Sequence, residues 1–239
     1  MVELELEDGL AVITIDRPHA RNALDLGTMG ELEKALDAAG GASALAVTGA
    51  GDRAFVSGGD LKELSRLRTE AEVSGMALRM RALCDRISAF PGPVVAALNG
   101  HALGGGAEVA VAADIRVAAD DIRIGFNQTS LAIVPAWGGA ERLARLVGPG
   151  RALLLAGTGR VVGAAEAERL GLVDLVLPRA GFGPGWREVA RSLATRQAGE
   201  IKALTSRVRS PQEAAAAFAR LWVAEEHWEA AEKVMSRGR

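Results

Sequence analysis

The chain has 239 residues, 49% hydrophobic and 24% charged, enough to bury a substantial core, which excludes disorder as its main state. Lysine plus arginine total 28 against 30 acids, a net charge of −2, so the basic excess expected of a nucleic-acid-binding protein is missing. One cysteine, Cys84, excludes an intrachain disulfide, suits a reducing cytoplasm and reads as a small buried hydrophobe on a helix.

In chain order, residues 1–7 alternate acid with aliphatic and predict a half-exposed strand; a leader would start basic and then run apolar. Asp8-Gly9 turns the chain into a second strand at 10–15. Thr28 is placed to cap a helix that runs to about 39 and stops at Gly40-Gly41. A short buried strand follows at 44–48, then a turn at 49–52, and a helix opens at Asp60. A longer helix covers roughly 70–90, with Leu78, Leu83 and Ile87 near one face, and Pro91-Gly92-Pro93 ends it. Residues 94–98 read as a buried strand, followed by a glycine-rich turn, a helix from 104 to about 112, and strands at 115–118 and 122–126. The most apolar stretch, 94–113, carries a glycine triplet and Glu108, so no membrane span is expected.

Beyond Arg151 helices dominate, at 164–170 and 186–194, with a last strand at 172–177. A long alanine-rich helix is expected from Pro211 to about Met235. Its large apolar groups, Phe218, Leu221, Trp222 and Trp228, point to docking on the core or on another subunit. Strand–turn–helix recurring in this way predicts an α/β fold with a mostly parallel sheet covered by helices. The expected division is an α/β core over 1–183 and a helical region over 184–239.

Two segments share a design. Phe55-Val56-Ser57-Gly58-Gly59-Asp60-Leu61 passes from strand to helix through paired glycines, and Asn99-Gly100-His101-Ala102-Leu103-Gly104-Gly105-Gly106-Ala107-Glu108 does so through three. A helix start leaves N–H groups unpaired and favours negative charge, and glycine lets that backbone approach a ligand. Two such turns facing each other would make a two-donor oxyanion hole; either cluster taken alone reads first as a tight turn. Neither is a phosphate loop, because no Gly-Lys-Ser/Thr follows the glycines and no G-x-G-x-x-G opens the first strand–helix unit.

These segments resemble signatures of the enoyl-CoA hydratase/isomerase (crotonase) family, in family order and spacing. With them come Arg17-Pro18-His19-Ala20-Arg21-Asn22-Ala23-Leu24, Arg53-Ala54 before Phe55, Pro135-Ala136-Trp137-Gly138-Gly139-Ala140-Glu141-Arg142-Leu143, and the helix–strand segment at 164–176. The resemblance covers nearly the whole chain, with the tail beyond Gly181 short and only loosely matched. It implies a spiral of ββα units with a helical C-terminal tail used in assembly, and a homotrimer or dimer of trimers. It also implies an acyl-CoA thioester substrate, with the N–H groups of Gly59 and Gly105 as the oxyanion hole. Arg21, Ala23 and Leu24, with Ser57, Gly59, Asp60, Leu61 and Lys62, would hold the CoA and its acyl arm. No cofactor is implied, since CoA is part of the substrate.

Glu108 falls three residues after Gly105, near the same helix face, on an otherwise apolar helix where a carboxylate is costly unless paired or used. It reads as the acid/base beside the thioester, or else as an exposed or salt-bridged acid. The family's hydratases bring a second glutamate from the strand before the Pro-x-x-Gly-Gly turn. Aligned without gaps from Pro135, that glutamate falls on Gln128, which has no titratable proton but can orient a water or a carboxylate. Trp137 beside Pro135 packs the core or walls the acyl pocket; the Pro-x-Trp-Gly-Gly variant resembles members acting on short branched acyl-CoA or decarboxylating malonyl-type thioesters. Three scattered histidines and one cysteine offer no metal spacing, and Ser57 lacks the histidine and acid of a serine nucleophile. Three readings follow: an enoyl-CoA hydratase or isomerase, an alkylmalonyl-CoA decarboxylase, or a catalytically weak acyl-CoA-binding protein.

Overall fold

The computed structural model describes residues 1–206 and 211–225, together with 227 and 229. Strands β1 (Val2–Glu7) and β2 (Leu10–Ile15) pair antiparallel about Asp8-Gly9. Helix α1 (Leu26–Ala38) follows, then β3 (Ala44–Gly49), β4 (Ala54–Val56), α2 (Leu61–Leu64) and α3 (Glu70–Ser88). Next come β5 (Val94–Leu98), β6 (His101–Leu103), α4 (Gly105–Ala110), β7 (Ile115–Ala119) and β8 (Arg123–Gly125). A 3-10 turn at Asn127–Leu131 leads to α5 (Gly139–Val147), α6 (Pro149–Thr158), β9 (Val161–Gly163), α7 (Ala164–Leu170) and β10 (Leu175–Leu177). Helices α8 (Phe182–Ser192), α9 (Arg196–Thr205) and α10 (Pro211–Trp222) close the described chain.

Strand order shows the expected spiral. One sheet runs β1-β2-β3-β5-β7-β10, parallel except for its first pair, and the other runs β4-β6-β8-β9. From β3 to β8 the strands alternate, with β3, β5 and β7 in the large sheet and β4, β6 and β8 in the small one. Every residue of β3 and β5 is buried, as continuous apolar runs require when both faces of a strand are covered. Helix α1 packs on β1, β2 and α3, while α8 packs on β3, β5 and β10. Among the described residues no helix is long and apolar enough to cross a membrane.

Several sequence expectations shift. Asp25, not Thr28, caps α1: its carboxylate accepts the Thr28 N–H at 2.7 Å, with Thr28 three residues inside the cap. In α3 the buried stripe is Met80, Leu83, Cys84 and Ile87, whereas Leu78, five residues before Leu83 and so on another face, is 63% exposed. Residues 101–103, expected in a turn, pair with β4 and β8 as β6. The helix expected at Asp60 is one turn long, the last strand starts only at Leu175, and helices α5 and α6 have no counterpart among the expected elements. The division expected at 183 falls inside α8. Trp228 and Met235 lie outside the described residues.

Candidate active site

Helix α4 is buried along its whole length, and Glu108 within it is 2% exposed. Its carboxylate is held from three directions. Oε2 accepts the N–H groups of Trp137 at 2.7 Å and Gly139 at 2.9 Å, and Oε1 accepts the Gln128 amide at 2.9 Å. Burial pushes the Glu108 carboxyl above its usual 4.5, and the Gly139, Trp137, Gln128 and Ala136 donors pull it part of the way back. The exposed or salt-bridged reading of this acid is thereby set aside.

The two glycine turns meet beside it. Gly58 and Gly104 have φ of +104° and +55°, conformations that side chains other than glycine rarely adopt, and a Cβ on Gly58 would lie 3.3 Å from the Gly105 nitrogen. Around Gly59 the chain pairs with Leu24: Leu24 N–H donates to the Gly58 carbonyl at 2.8 Å, and Asp60 N–H donates to the Leu24 carbonyl at 2.9 Å. The Gly59 N–H is left off that pairing, and Gly105, as the first residue of α4, has no helical acceptor. Among the described residues no protein acceptor is found for either N–H. Two free donors beside a buried carboxylate can receive an oxyanion and move a proton next to it.

Both glycines, Glu108, Gln128, Ser57, Leu61 and Trp137 line one cavity of about 600 Å³. Gln128, 6% exposed, sits in the 3-10 turn rather than on a strand, and faces Glu108 as the gap-free alignment places it. Its Oε1 is buried without a partner among the described residues. Trp137 is at once core and wall: it is 6% exposed, and its indole lies so near Gly105 that a Cβ there would meet the ring at 2.1 Å. Sequence reasoning passes over the far wall, Leu64, Leu67, Val73 and Met76 on and beyond α2. The spacing of three in Leu61, Leu64 and Leu67 is the available signal. Among the described residues no lysine, arginine or histidine lines the cavity.

The remaining candidates lie outside that cavity. Ala23 and Leu24 are buried, and Arg21 lines a separate cleft of about 150 Å³ with Pro18, Asp52 and Arg53. Asp60 caps α2 and pairs with Arg17 at 3.0 Å, Lys62 is exposed, and Pro135 is half-buried without lining the cavity. Arg17 also reaches Asp25 at 2.9 Å, which pins the 17–25 segment beside α2. His101 does not line the cavity; its Nδ1 accepts the Arg123 N–H at 3.1 Å. Among the described residues no cluster of His, Cys, Asp and Glu is placed to hold a metal.

A family model described as "Enoyl-CoA hydratase/isomerase" matches residues 5–232. The chain is 44% identical over 178 residues to a crotonyl-CoA hydratase of Syntrophomonas wolfei, covering 73% of this chain and 68% of the relative. It is 38% identical over 197 residues to a short-chain-enoyl-CoA hydratase of Clostridium acetobutylicum, covering 81% and 75%. Its fold superposes on the crystal structure of an enoyl-CoA hydratase from Bacillus anthracis with a TM-score of 0.90 and 31% identity, over 99% of this chain and 96% of that one.

Proposed function

The chain belongs to the enoyl-CoA hydratase/isomerase family of acyl-CoA enzymes, and from that premise we propose that it adds water to, or shifts the double bond of, an enoyl-CoA thioester through an enolate-like state. The thioester oxygen sits on the N–H groups of Gly59 and Gly105, and Glu108 carries the proton. The observation that carries this reading is the convergence on one cavity of two unpaired glycine N–H groups and a buried, hydrogen-bonded carboxylate. Among the described residues Glu108 is the one carboxylate lining the cavity. It suffices if it takes a proton from water, or from the γ-carbon, and returns it to the α-carbon. The unpartnered Oε1 of Gln128 supports a role in accepting a hydrogen bond from that water. CoA arrives with the substrate, and no further cofactor is part of the proposal. The surface by Arg21, Leu24 and Lys62 is proposed for its nucleotide and pantetheine arm.

Decarboxylation of an alkylmalonyl-CoA is favoured by the single acid, because loss of carbon dioxide itself generates the enolate. Against it, no lysine, arginine or histidine among the described residues lines the cavity to receive a second carboxylate. Incubation with crotonyl-CoA and with ethylmalonyl-CoA, products read by mass, decides among the readings. Hydrated or isomerised product is expected; decarboxylated product alone overturns the proposal in favour of the second reading, and no product in either arm reduces the protein to acyl-CoA binding. Trimeric assembly belongs to the same proposal, supported by the exposed Leu153 and Leu154 on α6 and Phe218 on α10. So does a reducing cytoplasm, where Cys84 stays a buried thiol pushed up to about 12 by its burial.

A further inference from the structure

The turn that holds Glu108 is itself held, by residues outside the cavity. Arg142 on α5, 9% exposed, donates through Nη1 to the Trp137 carbonyl at 3.0 Å and through Nη2 to the Asp85 carboxylate on α3. Its guanidinium also fills the space against Gly138, where a Cβ would lie 2.4 Å from Nη1 and φ is +86°. The neighbours of Gly138 on either side, Trp137 and Gly139, supply the two N–H groups that reach Glu108 Oε2. A guanidinium suits this place because its planar fork serves a carbonyl and a carboxylate at once from one rigid group.

We propose that Arg142, anchored by Asp85, is a positioning residue: it fixes the Trp137-Gly138-Gly139 turn so that its two N–H groups orient the Glu108 carboxylate and keep it ionised. This rests on the assignment of Glu108 as the acid/base. A carboxylate this deeply buried gains a proton easily, and fixed donors are what hold it charged. Other groups face Glu108 from α3 and from the 3-10 turn. Cys84 is a neutral thiol, Arg81 is engaged by Glu141 at 2.6 Å, and Gln128 does not titrate. Asp85 and Arg142 are therefore the charged pair whose loss separates positioning from simple charge.

The two mechanisms predict opposite signs at Asp85. Deleting its negative charge, by charge alone, makes the Glu108 carboxylate easier to ionise. Releasing Arg142 and loosening the turn makes it harder. The test uses Arg142→Met, Arg142→Lys and Asp85→Ala in the full chain. Glu108 is titrated by ¹³C-carboxyl NMR of glutamate-labelled protein, its resonance identified by its loss in Glu108→Gln, and crotonyl-CoA turnover is measured beside it.

Both Arg142→Met and Asp85→Ala should titrate Glu108 at higher pH than the wild type, with Arg142→Lys between. Turnover number should fall roughly ten- to a hundredfold, as expected for a slightly misplaced catalytic group, with KM changed less than about twofold. A Glu108 titration that falls or stays put in Asp85→Ala overturns the proposal, as does an unchanged one in Arg142→Met. Should Arg142→Met fail to fold, Asp85→Ala carries the test, because that side chain is 55% exposed. Full turnover in Glu108→Gln, with the titration shifts still present, fells the catalytic reading of Glu108 and leaves the clamp standing.

Discussion

At Gly105 the oxyanion assignment can be tested with two substitutions that share a clash. Any Cβ there meets the Trp137 ring at 2.1 Å, so both Gly105→Ala and Gly105→Pro must push the indole aside. Proline at the first helical position does not break the helix, but it removes the N–H. If that N–H is a donor, Gly105→Pro should be slower than Gly105→Ala by about two to three powers of ten in turnover number; equal rates remove Gly105 from the hole. Glu108→Gln tests the acid. One amide oxygen can take the N–H groups of Trp137 and Gly139, and the amide nitrogen can donate to the free Oε1 of Gln128 once that amide rotates. The melting temperature should hardly move while turnover falls roughly a hundredfold or more; undiminished turnover sinks the assignment. In the wild type the acidic limb of turnover should lie above 4.5, because Glu108 must be ionised to act as base and its burial raises the pH at which that happens. Gln128→Glu places a second carboxylate within hydrogen-bond reach of the first, so the pair shares a proton whose affinity is raised above the unfolded value. Hydration of crotonyl-CoA should rise over the wild type. Stability should be fullest below the unfolded carboxylate pKa and fall as pH rises through the raised folded one, a trend readable in melting temperature against pH. A variant that is folded but gains no hydration shows that the acyl group does not pass between these two positions.

Site geometry at the level of elements depends on how α4 starts against the end of β4. The Gly106 backbone is so close to that strand that a Cβ would lie 1.7 Å from the Val56 carbonyl oxygen, and neither atom is the end of a flexible side chain. Gly106→Ala must therefore move a helix or a strand, and should cost about 3 kcal/mol, the upper range for overpacking. Urea unfolding would show it; a midpoint equal to the wild type's would mean that helix and strand have room to part. The same closeness explains why the three glycines occur together. Gly104 supplies the left-handed turn, Gly105 lies under the Trp137 ring and Gly106 touches β4.

Across the whole molecule, the helical tail is tied to the spiral in part through a deeply set lysine on α9. The Lys202 Nζ lies 2.7 Å from Asp114 Oδ2 and 3.0 Å from the Gly92 carbonyl, with the side chain 9% exposed. Asp114 also accepts the Val94 N–H at 2.8 Å, so Lys202 holds α9 to the start of β5. Lys202→Met should lower stability by about 1–2 kcal/mol, less than a fully buried pair because Asp114 is one-third exposed. Denaturant titration measures this. Crotonyl-CoA turnover should stay level; a drop would show that the tail shapes the cavity as well as packing on the core.

How much is legible differs along the chain. Strands at 10–15, 44–48 and 94–98 can be read because they are largely apolar runs bounded by glycine, proline or acid, a local signal that burial on both faces enforces. Both glycine turns and Glu108 are legible for a similar reason, since an acid after three glycines on an apolar helix has few cheap explanations. The helix cap at Asp25 is not, because Asp25 and Thr28 are both good caps and only the path of the chain chooses between them. His101–Leu103 reads as a turn because three residues carry no period, and their strand character comes wholly from pairing with β4 and β8. What Glu108 touches, the Trp137 and Gly139 N–H groups, the Gln128 amide and, behind them, Arg142 and Asp85, lies 20 to 31 residues away in sequence for the direct contacts. Residue type and spacing determined which family the chain belongs to. Tertiary structure alone decided how the acid is held, because those bonds depend on the spatial meeting of α3, α4 and α5, which no local pattern encodes.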